Sequence, residues 1–175
     1  MKAINLFVLL CIICTISSVV NAQTTPDNLV KEWERAKAYT NEYLEAMPES
    51  GYGFKPTPEM RSFAEQMLHL TDTDYIFAAA ATGEKSPVTG SLEKSSDKSK
   101  ATVIKQVLDG YDFVIASIKK TNSSQLAEKF KLFGKFEMTR EMVLQKAFEH
   151  QTHQRGQATV YLRLAGITPP AEKLF

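Results

Sequence analysis

Three histidines mark where this chain could do chemistry: His69, His150 and His153. His150 and His153 are three residues apart. On a helix that turns about 100° per residue they lie about 60° from one another, so both can face one point. The stripe through His150 runs Val143, Ala147, His150, Gln154, Gln157, Tyr161 and Leu164, apolar at both ends and polar in the middle. Burying an imidazole or an amide costs about 1–3 kcal/mol unless it finds a partner. Mutual hydrogen bonds, water or a metal ion would each satisfy such a patch. His69 can join it only from a neighbouring helix. Two readings stay open: hydrogen-bonded structural histidines, or a nitrogen-ligated cation site, because a His-x-x-His pair on a helix occurs in both settings.

Helices are needed to position these residues, and the sequence predicts four long ones. The first spans about Asp27 to Met47, with Leu29, Trp33, Ala36, Thr40 and Tyr43 at helical spacing, and Pro48 and Gly51 beyond it. The second starts at Pro58-Glu59, carries Phe63, Met67, His69 and Leu70, and stops at Gly83. Glu84 to Lys98 is rich in Ser, Lys and Gly and reads as a mobile connection. A third helix covers about Lys98 to Lys120, capped by Ser96 or Asp97, with Val103, Val107, Tyr111, Val114 and Ile118 buried. Leu126 to Phe136 is read as a short helix and a tight turn, with Phe130, Phe133 and Phe136 packed into the core by default, or forming a binding lip over one bundle end. Thr139 caps the last helix, which carries His150 and His153 and ends at Gly166. With no strand-type alternation recognised, the expected class is all-α, a four-helix bundle.

The first residues stand apart from this pattern. Met1-Lys2, the apolar run Leu6 to Val20 and Val20-Asn21-Ala22 have the charged start, apolar centre and small-residue exit of a cleavable signal peptide. Residues 1–22 are therefore expected to be removed, leaving 23–175 as one domain, exported to the periplasm or outside the cell, with no stable membrane span. Loss of Lys2 leaves 20 basic residues against 20 acidic ones. A neutral chain lacks the basic excess that nucleic acid or an anionic membrane would favour. Cys11 and Cys14 leave with the leader, so disulfides, thiolate nucleophiles and thiolate metal sites leave with them. Any metal would need nitrogen and oxygen donors.

Longer stretches of wording narrow the choice. His150-Gln151-Thr152-His153-Gln154-Arg155-Gly156-Gln157, continuing through Tyr161-Leu162-Arg163 to Gly166 and Pro169-Pro170, resembles the C-terminal signature of the DinB-like (damage-inducible, YfiT-type) four-helix-bundle family. Met47-Pro48-Glu49 through Tyr52, Phe54, Pro58 and Ser62 to His69-Leu70 carries a second resemblance, and together they span about Asp27 to Pro170. The resemblance implies a divalent ion (Zn, Ni, Fe or Mn), held by one side chain of the second helix and two a turn apart on the last. It also implies transferase or hydrolase chemistry on a small molecule, and it allows a homodimer. His69 and His150 match the first two ligands. The family's third histidine immediately precedes Arg-Gly-Gln, and this chain has Gln154 there.

A glutamine oxygen is a neutral donor, poorer than imidazole for most of these metals. The expected ligand set is therefore His69, His150 and His153, with Gln154 as an alternative third donor and loss of the metal site as the remaining option. Gln157 and Tyr161 are candidates to orient a substrate, or ordinary polar core residues. Glu65 could brace His69 from one turn away, or stand solvated. Arg155 is expected to pair with an acid on a neighbouring helix. No serine-nucleophile elbow, phosphate-binding glycine loop or zinc-protease motif competes. Two function classes result: an exported metal-dependent enzyme, and a non-catalytic binding bundle with a degenerate metal site.

Overall fold

Each long helix begins beside a residue that turns the chain out of extended conformation, and most begin where a side chain takes up the first free amides. The computed structural model describes residues 24–175, so the expected leader, residues 1–22, lies outside the described residues. Helix α1, Pro26–Ala46, opens on Thr25, whose hydroxyl accepts from the Asn28 amide at 3.3 Å, with proline in the first turn. Helix α2, Phe63–Thr82, starts later than the expected Pro58. Its start is set by a reciprocal cap: the Glu65 amide donates to Ser62 Oγ at 3.2 Å, and the Ser62 amide donates to Glu65 Oε2 at 2.8 Å. The first two amides of α2 are taken up by the loop before it, Phe63 and Ala64 donating to the Phe54 and Tyr52 carbonyls. Gly83 ends α2 at φ 80°, a left-handed conformation that glycine adopts without steric cost.

Helix α3 is Lys100–Lys119, and a single short helix, α4, covers Ser123–Ala127. The segment after it differs from the sequence expectation. Lys129–Leu132 (β1) and Phe136–Thr139 (β2) pair antiparallel, in register Lys129 with Thr139 and Leu132 with Phe136. Phe133 (φ 52°) and Gly134 (φ 68°) make the reversal. Lys-Phe-Lys-Leu and Phe-Glu-Met-Thr do alternate, the period of a strand, over lengths too short to stand out. Phe133 and Phe136 are exposed rather than buried, though the Phe133 ring touches Phe77.

Helix α5, Arg140–Leu164, starts where expected, with Thr139 Oγ1 accepting from the Met142 amide at 3.1 Å. Helix α2 packs against both α3 and α5, and α1 packs against α3 and α5. Trp33, Phe63, Met67, Leu68, Tyr111, Ile118, Leu144 and Tyr161 are sealed inside. One close approach depends on a missing side chain: a Cβ at Gly110 of α3 would sit 2.5 Å from Thr71 Cγ2 of α2. The fold is thus helical, with one small hairpin among the described residues. Among the described residues no helix is long and apolar enough to cross a membrane.

Candidate functional site

The adjacency of α2 and α5 brings His69 against His150. Their ring centroids are 5.2 Å apart at an interplanar angle of 68°. His69 Nδ1 lies 3.3 Å from Glu93 Oε2. A carboxylate there favours the Nδ1–H tautomer and leaves Nε2 as the ring's lone-pair donor. Glu93 also accepts from Arg61 Nε at 2.9 Å.

Glu93 belongs to the stretch read from sequence as a mobile connection. That stretch is tied down because Asp72, one turn past His69 on α2, accepts from Ser91 Oγ (2.5 Å) and from the Leu92 (2.8 Å) and Glu93 (3.2 Å) amides. The result is a tight turn, Leu92–Lys94, seated on α2. Glu65, the sequence candidate for bracing His69, instead completes the Ser62 cap and pairs with Lys98 at 2.7 Å. Those bonds, the Lys98 one foremost, pull its carboxyl down to about 2.

An amide relay links the rest. Gln66, buried on α2, spends its amide nitrogen on two acceptors, Gln154 Oε1 and, at 3.2 Å, Gln157 Oε1. Gln154 then donates to His150 Nε2 at 3.0 Å, and Gln157 donates to His153 Nε2 at 2.7 Å. Two parallel arms therefore run from one glutamine to two histidines. His150 Nδ1 is buried with no hydrogen-bond partner. Burial, followed by the nearby His69, His153 and Arg61, pushes the His150 pKa down to about 4, so the ring is neutral at physiological pH. His153 sits on the exposed side of α5. Tyr161 donates its hydroxyl to the Arg61 carbonyl at 2.9 Å.

The cluster borders two clefts. One, about 430 Å³, is walled by Arg61, Gln66, Glu93, Gln157 and Tyr161. The other, about 380 Å³, is walled by Phe77, Lys146, Glu149, His150 and His153. Arg155 departs from expectation: it turns away from this cluster, into the bundle, and pairs with no acid. Its Nη1 donates to Gln151 Oε1 (2.9 Å) and Thr40 Oγ1 (3.3 Å).

Among the described residues no three His, Cys, Asp or Glu side chains gather around one point. The donors that do converge are two imidazoles, one with a carboxylate behind it and one with an unpartnered ring nitrogen, together with glutamine amides. This set suits a borderline divalent ion held by nitrogen and one amide oxygen. Of the residues singled out from the sequence, His69, His150, Gln154, Gln157 and, on the exposed side, His153 lie together here. Sequence reasoning missed Gln66, Asp72 and Glu93. Gln66 falls on the histidine face of α2, three residues before His69, and a buried amide there was the available signal.

Comparison with known proteins agrees with this architecture. The DinB family model matches residues 20–174. YjoA of Bacillus subtilis strain 168 is 25% identical over 146 residues, covering 81% of this chain and 92% of that protein. A DinB-like protein from Bacillus cereus has a similar fold at TM-score 0.75 and 19% identity, covering 86% of this chain and 99% of that one. The crystal structure of YjoA itself matches at TM-score 0.64 and 20% identity, over 84% of this chain and 96% of that one. A conserved protein from Enterococcus faecalis matches at 0.58 and 16%, over 78% and 94%. With a family match over nearly its whole length, the chain belongs to the DinB family.

Proposed function

We propose that this chain is an exported DinB-family protein that holds a divalent cation between His69 and His150 and handles a small molecule in the adjoining cleft. The supporting observation is the pair of imidazoles from separate helices, 5.2 Å apart, one of them oriented by Glu93. Glu93 holds the His69 proton on Nδ1, so Nε2 is the donor it offers. Burial keeps His150 unprotonated and able to donate a lone pair. Gln154 or His153 supplies the third donor. A bound ion would polarise a carbonyl or lower the pKa of a water or thiol. Gln157 and Tyr161 face the polar cleft, where an incoming substrate meets their amide and phenol groups.

Affinity is set by what the relay must surrender. Using His150 Nε2 as a ligand breaks the Gln154 hydrogen bond, a loss of about 0.5–1.5 kcal/mol. Calorimetric titration of untagged protein with Zn²⁺ and Ni²⁺ is expected to show one site, abolished by His69→Ala or His150→Ala and tightened by Gln154→His. Absence of binding in the wild-type protein and in Gln154→His would refute the cation site.

A second reading rests on the relay being nearly complete without an ion: Gln66, Gln154 and Gln157 already satisfy His150 Nε2 and His153 Nε2. The protein is then a non-catalytic small-molecule binder with a degenerate metal site. Binding by Gln154→His but not by the wild-type protein selects this reading.

A further inference from the structure

On the side of α5 turned away from the histidines, Arg155 is 6% exposed, yet its guanidinium has no carboxylate partner. An arginine stays charged at any physiological pH, and a buried charge without a counter-charge is costly. Nη1 is used on Gln151 and Thr40, and the guanidinium carbon lies 4.5 Å over the Tyr39 ring. The guanidinium also lies against the Tyr111 hydroxyl, and neither Nε nor Nη2 is a buried atom left without a partner. Arg155 lines a cavity of about 210 Å³ together with Tyr39, Tyr43, Thr152, Gly156 and Thr159. Tyr43 and Thr159 share a hydrogen bond of 2.9 Å, and the Tyr39 and Tyr43 hydroxyls are 3.4 Å apart, so this wall is lined with hydroxyls. Gly156 adds no side chain, which keeps the space open.

The chain's own end lies over the opening. Arg35 donates to the Lys173 carbonyl at 2.7 Å, and Lys173 Nζ pairs with Glu42, which pins the tail to α1. Glu172 and Leu174 thereby become part of the cavity rim. Glu172 is exposed and forms no ion pair with Arg155, but its charge reaches Tyr39, whose hydroxyl is raised to about 12 by burial first, then by Tyr43 and Glu172.

We propose that this cavity binds a small oxyanion, a carboxylate or phosphate group, on Arg155 and the surrounding hydroxyls, with the C-terminal segment as its cover and Glu172 as the charge it must overcome. A planar guanidinium matches such a group. The cavity volume admits the anionic end of a ligand a few atoms across. The site is independent of the histidine cluster, so neither stands or falls with the other.

The test titrates the full chain with sodium benzoate and with inorganic phosphate at constant ionic strength, up to about 10 mM, read by calorimetry. Saturable binding of at least one probe is expected. Glu172→Gln, at an exposed position, should tighten it about threefold by removing a nearby like charge. Arg155→Lys should weaken it about tenfold, because lysine cannot present a fork of donors. If Arg155→Lys fails to fold, Thr159→Val, which removes one lining hydroxyl, replaces it and should also weaken binding. Benzoate alone points to a carboxylate ligand and phosphate alone to a phosphate-bearing one. No saturable binding to either the wild-type protein or Glu172→Gln overturns the proposal, as does binding that Glu172→Gln leaves unchanged.

Discussion

Asp74 lies in the middle of α2, fully buried, and neither carboxylate oxygen has a hydrogen-bond partner. Burial alone raises its pKa well above the ordinary carboxylate value. The folded protein therefore keeps a proton that the unfolded chain releases near pH 3.9. The sign follows from linkage: where the folded state binds more protons, stability falls as pH rises. The fall begins above about pH 3.9 and continues until the raised folded pKa is passed, after which it levels. Each unit of elevation removes about 1.4 kcal/mol. Asp74→Asn abolishes this dependence while keeping the shape, and Asp74→Leu also removes the unsatisfied polar atoms, worth a further 1–3 kcal/mol or about that. Urea unfolding of wild type and both variants at pH 4.5 and pH 8 measures it. Both variants should gain on the wild type as pH rises, with Asp74→Leu the most stable at pH 8. A wild-type-to-Asn difference that does not change with pH would refute the reasoning, because it would mean Asp74 carries the same charge folded and unfolded.

Two more outcomes follow from single contacts. Gly110→Ala places a methyl 2.5 Å from Thr71 Cγ2 and should lower stability by about 1–3 kcal/mol despite alanine's better helix propensity. Adding Thr71→Ser, which removes that methyl but keeps a hydroxyl for the Met67 carbonyl, should restore most of the loss in thermal melts. Glu65→Ala removes the carboxylate half of the reciprocal cap that starts α2, leaving the Ser62 hydroxyl half in place, and also removes the Lys98 pair; it should destabilise by about 1 kcal/mol at pH 7. Since the folded pKa is depressed to about 2, that contribution is present above pH 4.3 or about that and fades as pH falls toward 2. Chemical denaturation across that range reads it as a shrinking gap between wild type and variant.

Helix number, most boundaries and the histidine face were legible in the sequence, because caps and periodicity are short-range. Thr139 bonds the amide of Met142, Gly83 takes its left-handed turn alone, and His150 and Gln154 share a face through helical geometry itself. The start of α2 was misplaced where two local signals competed, Pro58 against the Ser62–Glu65 pair, and the reciprocal hydrogen bonds prevailed. The hairpin escaped notice because four-residue strands leave little periodicity to detect.

Other features depended on which surfaces meet. Nothing local says that Glu93, in a stretch rich in serine and lysine, reaches His69; that follows from Asp72 gathering the loop amides onto α2. Arg155 was expected to seek an acid, yet the α1–α5 contact offers it Thr40, Gln151 and the face of Tyr39. A hydrogen-bonding side chain reaches one turn along its own helix by fixed geometry. Its partners on other helices depend on how the bundle's faces are apportioned. The sequence by itself therefore determined which polar side chains share a face of their own helix, and the tertiary packing decided what each of them touches.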